Sequence, residues 1–170
     1  RITLANADAN IANPDSVASI WRDKYPQWSR KISLIWNGYD PEEVVEPAPL
    51  PRRRQKVLAH IGEIYRERHP APVLEALSSL INRGDVPRDF VKVVCLGTTL
   101  EETGDPSYFK RFVDEGIAEF RARVSRPEAL KATAEADYLC LLDLAPQLEQ
   151  PMQVPSKLFD YARLGRVVCR

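Results

Sequence analysis

The sequence predicts an α/β fold with a doubly wound parallel sheet, on three observations. Short apolar runs typical of buried strands alternate with stretches whose apolar residues recur at helical spacing. The two kinds of segment succeed each other every 20 to 30 residues or so, roughly the spacing of βαβ units. Gly and Pro, which favour turns and helix ends, lie between them. Because crossovers between parallel strands are right-handed, helices are expected on both faces of the sheet.

The length fits one well-buried α/β domain, or one domain plus a fragment of another. Of 170 residues, 44% are hydrophobic and 28% are charged, as in an ordinary globular protein. The 24 basic and 24 acidic residues leave no basic excess for a nucleic-acid surface, so no nucleic-acid partner is expected. Cys95, Cys140 and Cys169 lack CxxC spacing, which disfavours zinc and disulfides and favours a reducing, cytoplasmic setting. No apolar run reaches the roughly 20 residues that span a membrane.

The first 40 residues predict a small unit ahead of the sheet. Residues 2–5 are typical of a short strand, and residues 13–16 carry helix-start chemistry before a helix that ends at Pro26. Residues 31–35 predict a second short strand, closed by a turn at Asn37-Gly38. Residues 41–55 are rich in proline without apolar periodicity, which predicts an extended linker and the domain boundary.

Predicted strands and helices alternate after the linker. The predicted strands are KVLAHI, VKVVCLG, IAEFRARV, YLCLLDL and RVVC, and the predicted helices cover residues 72–83, 107–115, 127–136 and 157–164. Gly84 is the expected C-cap of the first of these helices. Ligands of such sheets bind outside the carboxyl ends of the strands, where the strand order reverses. The expected ligand loops therefore follow Ile61, Gly97 or Val124, and Leu144.

The loop GEIYRER follows a predicted buried strand at this edge. Gly62 lets a ligand approach the backbone closely. Arg66 and Arg68 are able to offer planar forks of donors to a diphosphate. The alternative is a solvated loop in which Glu63 and Glu67 pair with the arginines.

The segment PSKLFDY predicts a helix start at the same edge. Unpaired N–H groups at a helix start that faces a ligand suit a phosphate. Asp160 lies one turn into this helix, where its carboxylate can accept hydrogen bonds from ribose hydroxyls. The alternative is structural, with Asp160 stabilising the helix start and Lys157 solvated. His60, inside a strand run near the edge, is interpreted as a satisfied core or edge histidine.

Four segments, taken in order, resemble the family 4 glycosyltransferases of GT-B architecture, which transfer sugars from nucleotide donors. KISLIWNGYD is similar to their interdomain hinge, and VLAHIGEIYRERHPAPVLEAL to the first βα unit of their donor domain. RVSRPEALKATAEADYLCLL is similar to a loop–helix–strand unit, and VPSKLFDYARLGRVV to the segment that grips the donor ribose and phosphates. The resemblance implies a Rossmann-like sheet that forms one half of a GT-B fold.

The resemblance implies three parts of the chain. Residues 1–40 would end an N-terminal, acceptor-binding domain, residues 41–55 would be the hinge linker, and residues 56–170 would be a nucleotide-sugar-binding domain truncated at its C-terminus. The chain starts with Arg and stops after an apolar run, so further residues are expected on both sides in a longer protein. This fragment is expected to bind the donor without transferring the sugar.

The resemblance also implies site residues. Those expected to bind the donor are Gly62, Arg66, Arg68, Ser156 and Lys157 for the diphosphate, Asp160 for the ribose, and Val124 and Ser125 near the base. Glu63 departs from the family, which often has a basic residue directly after the glycine. Met152 stands where the first of two acids lies, although members with a proline-serine-lysine start also lack that acid. No residue of the chain is assigned as catalytic.

The family's chemistry implies further expectations. Basic side chains and a helix start stabilise the departing diphosphate, so neither a metal nor a cofactor is expected. The expected partners are a nucleotide sugar and a polysaccharide, lipid or other glycan acceptor bound through the missing domain, in the cytoplasm or at the inner face of the membrane. Peripheral membrane contact would also run through missing parts. Two alternatives stay open: a GT-B nucleotide-sugar epimerase, and a non-catalytic nucleotide-binding or interaction domain.

Overall fold

The computed structural model of the chain describes residues 2–43, 49–65, 68–142 and 154–169. The N-terminal unit contains helix α1 (Ile2–Asn6), strand β1 (Asn10–Ala12), helix α2 (Asp15–Lys24), a 3₁₀ helix (Pro26–Lys31) and strand β2 (Ile32–Leu34). The sheet domain contains β3 (Lys56–Ile61), α3 (Ala71–Asn82), β4 (Val91–Leu96), a 3₁₀ turn (Glu101–Thr103), α4 (Pro106–Asp114), β5 (Ala118–Arg121), α5 (Arg126–Glu135), β6 (Tyr138–Cys140), α6 (Lys157–Arg163) and β7 (Val167–Cys169).

The N-terminal unit differs from the sequence prediction at its start. Residues 2–5 belong to helix α1, not to a strand, and β1 begins at Asn10 and pairs in parallel with β2. Leu4 of α1 is buried in a cluster that includes Ala18 and Ile32. Four apolar and β-branched residues are too few to show a period, so tertiary contacts decide between helix and strand. The turn predicted at Asn37-Gly38 is also not formed, and residues 35–40 have no regular secondary structure.

The sheet has five parallel strands in the order β5-β4-β3-β6-β7. The chain runs outward from central β3 to β4 and β5, then returns to the other side of β3 as β6 and β7. The strand order therefore reverses between β3 and β6, which is the topological switch point of a doubly wound sheet. This confirms the predicted fold class.

Alternate residues of the strands face two different hydrophobic clusters. In β3, Leu58 packs in the cluster built on α3 and α4, whereas Ala59 packs in a second cluster that includes Tyr161 of α6. In β6, Cys140 and Leu139 divide between the same two clusters. Because successive side chains of a strand point to opposite faces, each cluster covers one face of the sheet. Helices thus cover both faces, as the sequence predicts.

Strand β5 is shorter than its predicted run. It ends at Arg121, three residues before Val124, which lies in the following loop. The reason is its neighbour: β4 ends at Leu96, and the carbonyl of Arg121 accepts hydrogen bonds from the N–H groups of Gly97 and Thr98 just beyond it. An edge strand has no pairing partner past the end of its neighbour.

Asp137 ties the start of β3 to the residue before β6. Its side chain is 3% exposed and accepts hydrogen bonds from the Val57 N–H at 2.9 Å, from Arg53 Nε at 2.7 Å and from Lys56 Nζ at 3.1 Å. Burial raises the pKa of this carboxyl, but the three donors outweigh burial and hold the pKa below its ordinary value.

Replacing Asp137 with alanine is expected to lower the free energy of unfolding by about 2–4 kcal/mol at pH 7. The substitution removes the buried carboxylate and leaves its three donors without that acceptor. Because the folded-state pKa is lowered, this stabilisation is complete above the unfolded-state pKa of about 3.9 and is lost as the pH falls through the folded-state value. Urea unfolding of both proteins from pH 7 to pH 3 measures the difference. A difference that does not shrink in acid would contradict the ionic role of Asp137.

Candidate functional site

The site lies at the carboxyl end of β3, next to the switch point. Gly62 follows β3 directly with φ at +121°, a conformation that favours glycine. Its N–H donates to the Leu96 carbonyl at 2.7 Å, and the Ile64 N–H donates to Thr98 Oγ1 at 2.9 Å. The loop after β3 is therefore held against the end of β4 by its own backbone.

Gly97, at the end of β4, allows this close approach of two backbones. It also has a positive φ, +122°. A Cβ at this position would lie 2.8 Å from the carbonyl carbon of Gly62 and 3.0 Å from its Cα. Neither atom belongs to a flexible side chain, so only glycine fits here without moving the Gly62 loop.

His60 lies buried beneath the loop. Its side chain points from β3 toward β6, and the residue is 2% exposed. Nδ1 lies 3.1 Å from the Cys140 carbonyl oxygen, so this ring nitrogen carries the hydrogen that is shared. Burial and the charge of Lys157 lower the pKa of His60 to about 4, so the imidazole is neutral at neutral pH. His60 is the satisfied histidine that the sequence predicts, and it also contacts a predicted site residue.

Lys157, the first residue of α6, reaches back to this histidine. Its Nζ lies 3.1 Å from His60 Nε2 and 2.9 Å from the position that a Cβ on Gly62 would occupy. Burial, together with the charge of Arg68, lowers the pKa of Lys157 to about 8. The sequence alternative of a solvated lysine is therefore wrong.

A cavity of about 220 Å³ opens above these residues. Its walls are His60, Gly62, Glu63, Tyr65, Arg68, Leu142, Pro155, Ser156 and Lys157. It brings together four of the five residues expected to bind a diphosphate, from two segments far apart in the chain. The fifth, Arg66, lies outside the described residues, as do Met152 and the loop after Leu144.

Glu63, the acidic residue that departs from the family pattern, has a basic partner. Arg123, in the loop after β5, places its Nη2 2.9 Å from Glu63 Oε2. The sequence alternative paired Glu63 with an arginine of its own loop. The pairing with Arg123 crosses 60 positions, and no spacing rule would have found it. Its effect is to offset the negative charge at the rim of the cavity.

Asp160 lies near the cavity but does not line it. It is 8% exposed, and Arg126 holds both of its oxygens, with Nη1 2.9 Å from Oδ2 and Nη2 3.0 Å from Oδ1. A paired fork of this kind is a strong, directional contact. Arg126 was not among the predicted site residues, and it binds the carboxylate that was expected to bind ribose.

Val124 and Ser125, expected near a base, do not line the cavity either. Val124 is 38% exposed in the loop after β5. The Ser125 N–H and Oγ both donate to Glu128 Oε2, at 3.0 and 2.6 Å, which stabilises the start of α5. Their visible role is to shape the loop and begin the helix.

The hinge-like segment of the N-terminal unit contacts α6 and its approach. Asn37 Nδ2 donates to the Val154 carbonyl at 3.2 Å, and Arg163 Nη1 donates to the Asp40 carbonyl at 3.1 Å. Glu43 pairs with Arg126 at 2.9 Å. Arg126 therefore joins Glu43, three residues beyond that segment, to Asp160.

The described ranges contain neither a metal-binding cluster nor a membrane-spanning helix. Among these residues, no group of three or more His, Cys, Asp or Glu side chains is arranged to hold a metal ion. Within the same ranges, no helix combines the length and apolar character needed to cross a membrane.

Two solved structures are similar to the chain. Sucrose-phosphate synthase from Thermosynechococcus elongatus matches with a TM-score of 0.68 at 13% identity, over 98% of this chain and 41% of that one. S. aureus TarM, in complex with Fondaparinux, alpha-GlcNAc-glycerol and UDP, matches with a TM-score of 0.54 at 12% identity, over 81% of this chain and 26% of that one. No protein-family model and no curated protein matches the sequence.

At these identities the likeness shows the fold. The class that it defines is a Rossmann-like, doubly wound α/β domain. The architecture is that of one half of a GT-B fold, and the chain spans less than half the length of either similar structure. Membership of family 4 within that architecture stays a prediction.

Proposed function

We propose that the chain is the donor-binding half of a glycosyltransferase and that its 220 Å³ cavity holds the diphosphate of a nucleotide sugar. The observation that carries this proposal is a pair of cations, Arg68 and Lys157, that face one cavity at the switch point of a doubly wound sheet. The proposed location is the cytoplasm, and the proposed acceptor is a glycan or lipid bound by other parts of a longer protein.

The charges at the cavity favour an anion. Burial lowers the pKa of the Lys157 amine most, and the Arg68 guanidinium lowers it further through repulsion between like charges. An anion between them would relieve that repulsion, and a diphosphate offers several acceptor oxygens at once. Glu63 does not cancel this field, because Arg123 pairs with it.

A larger cavity, of about 410 Å³, lies between α3 and α4 and does not suit a diphosphate. Among the described residues, its walls include the carboxylates of Glu75 and Asp105 and the rings of Tyr108 and Phe109, but no Lys or Arg. Volume alone would favour this cavity. Charge favours the smaller one, because desolvated phosphates require cationic or N–H donors.

In the proposed reaction, Arg68 and Lys157 act on the leaving group. As the bond between sugar and diphosphate breaks, negative charge grows on the diphosphate oxygen. Cations already in position stabilise that charge without reorganising. The proposed reaction requires no metal.

Ribose binding at Asp160 is part of the proposal. Arg126 contacts both carboxylate oxygens, but each oxygen keeps a further lone pair that can accept from a ribose hydroxyl. Access is the restriction, because Asp160 is only 8% exposed. Glu43 also accepts from Arg126, so a shift of the guanidinium toward Glu43 would open the carboxylate to the ribose.

Calorimetric titration of UDP-, GDP- and ADP-sugars tests donor binding. One of these series is expected to bind the chain at one site per chain, and the chain alone is expected not to transfer the sugar. If none of these donors binds the chain at concentrations up to millimolar, the proposal is overturned.

A double substitution in the full-length protein separates a glycosyltransferase from a non-catalytic domain. Arg68→Ala with Asp160→Ala removes two charged contacts to the donor, and sugar transfer is expected to fall by about 10²- to 10⁴-fold. The matched control is Arg83→Ala with Asp85→Ala, an exposed pair joined at 2.8 Å just after α3. Unchanged transfer by the Arg68/Asp160 variant would favour the non-catalytic alternative.

A further inference from the structure

We infer that His60 is a positioning residue for the diphosphate site: its imidazole Nε2 accepts a hydrogen bond from Lys157 and holds the amine at the cavity. The inference rests on the proposed function of that cavity. His60 acts on the diphosphate through Lys157 and is not a principal ligand of the diphosphate itself.

The direction of each hydrogen bond follows from the chemistry of the partners. The Cys140 carbonyl, 3.1 Å from Nδ1, can only accept, so Nδ1 carries the ring hydrogen. In a neutral imidazole the other nitrogen is then an acceptor. Lys157 Nζ, 3.1 Å from Nε2, is a donor, so the pair is complementary in this tautomer.

The groups around the ring keep it neutral. The Glu63 carbonyl also contacts the imidazole, but burial and the Lys157 charge oppose protonation more strongly. Burial raises the pKa of the Cys95 thiol to about 12 and that of the Cys140 thiol to about 11, so neither supplies a thiolate near neutral pH. His60 therefore offers Lys157 a lone pair without neutralising its charge, which a carboxylate in the same place would do.

Two neighbours restrict the position of the Lys157 amine. One is the imidazole of His60, and the other is Gly62, where an added Cβ would come within 2.9 Å of Nζ. A lysine side chain loses up to about 2 kcal/mol of rotamer entropy when it is ordered. Because His60 and Gly62 order it before the ligand arrives, less of this cost falls on binding.

Two polar substitutions test the inference. The probes are inorganic pyrophosphate and whichever of UDP, GDP or ADP belongs to the donor series that binds. Asparagine at position 60 reaches the place of Nδ1 and can donate to Cys140, but it falls short of Lys157. Glutamine reaches the place of Nε2 and can accept from Lys157. His60→Asn is expected to weaken binding of both probes about 5- to 20-fold, and His60→Gln to bind within about threefold of the wild type.

The same substitutions in a Lys157→Met background show whether His60 acts through the lysine. There, His60→Asn is expected to cause no further loss, because the group that it positions is absent. An equal loss with and without Lys157, or equal binding by His60→Asn and His60→Gln, would overturn the inference and leave the proposed function standing. A wild-type chain that binds neither probe would overturn the proposed function itself.

Both variants keep a polar side chain at position 60, and thermal unfolding reports whether each is folded. Should His60→Asn fail to fold, His60→Leu with and without Lys157→Met supplies the second measurement, because leucine offers Lys157 no acceptor. Weaker pyrophosphate binding only where Lys157 is present supports the inference. An equal loss in both backgrounds would overturn it.

Discussion

Replacing Lys157 with methionine is expected to weaken the binding of a nucleoside diphosphate by about 10- to 100-fold, the usual effect of losing one hydrogen bond to a charged group. Methionine keeps the length and apolar stem of the side chain, so the packing of α6 should change little. Calorimetry at pH 7 measures the loss. Lys110→Met is the matched control, because Lys110 is 61% exposed on α4 and pairs only with Asp114 of the same helix among the described contacts.

The pH dependence of binding should follow the same amine. With a pKa of about 8 in the free chain, Lys157 is mostly protonated at pH 7 and mostly neutral at pH 9. A bound anion favours the protonated form, so binding takes up protons and weakens by up to about tenfold per pH unit above 8. The dependence should vanish in Lys157→Met. An identical dependence in that variant would show that another group titrates.

Replacing Gly97 with alanine is expected to lower the free energy of unfolding by about 2–4 kcal/mol, the sum of backbone strain and overpacking. The alanine backbone would keep a positive φ, and its Cβ would lie 2.8 Å from the Gly62 carbonyl carbon. Since the clash pushes on the loop that holds Gly62, diphosphate binding should also weaken. Urea unfolding and calorimetry measure the two effects.

Substitutions at two other glycines separate the effect of backbone strain on stability from the effect of overpacking. Gly84 has a positive φ of +78° but no atom within 4 Å of its Cβ position, so Gly84→Ala reports strain alone, about 1 kcal/mol. Gly38 has neither feature, and Gly38→Ala should be close to neutral. A Gly97→Ala variant no less stable than Gly84→Ala would contradict the close approach of the two loops.

The sheet was predictable because its strands are buried and continuous. The runs at β3 and β4 are mostly apolar, with Lys56, His60 and Lys92 as the exceptions, and the Gly and Pro residues between the two runs mark the turns. The start of the chain was not predictable in this way. The four residues 2–5 form a helix because Leu4 packs against Ala18 and Ile32, a contact that no local pattern encodes.

The site shows the same contrast between local sequence patterns and contacts that are distant in sequence. Gly62 follows a local pattern, a glycine at a strand end, whereas Lys157 was expected at the diphosphate only from the family resemblance. The partners that define their chemistry are distant in sequence. Lys157 meets His60 across 97 positions, and Asp160 meets Arg126 across 34. Such pairings depend on the strand order, which spacing does not encode.

A crystal structure of the chain with its bound nucleoside diphosphate tests the central claim most directly. We expect the diphosphate in the 220 Å³ cavity, with its oxygens within hydrogen-bonding distance of Lys157 Nζ and near Gly62. A diphosphate bound instead between α3 and α4, beside Tyr108, with the Lys157 amine still on His60 and without a ligand, would contradict it.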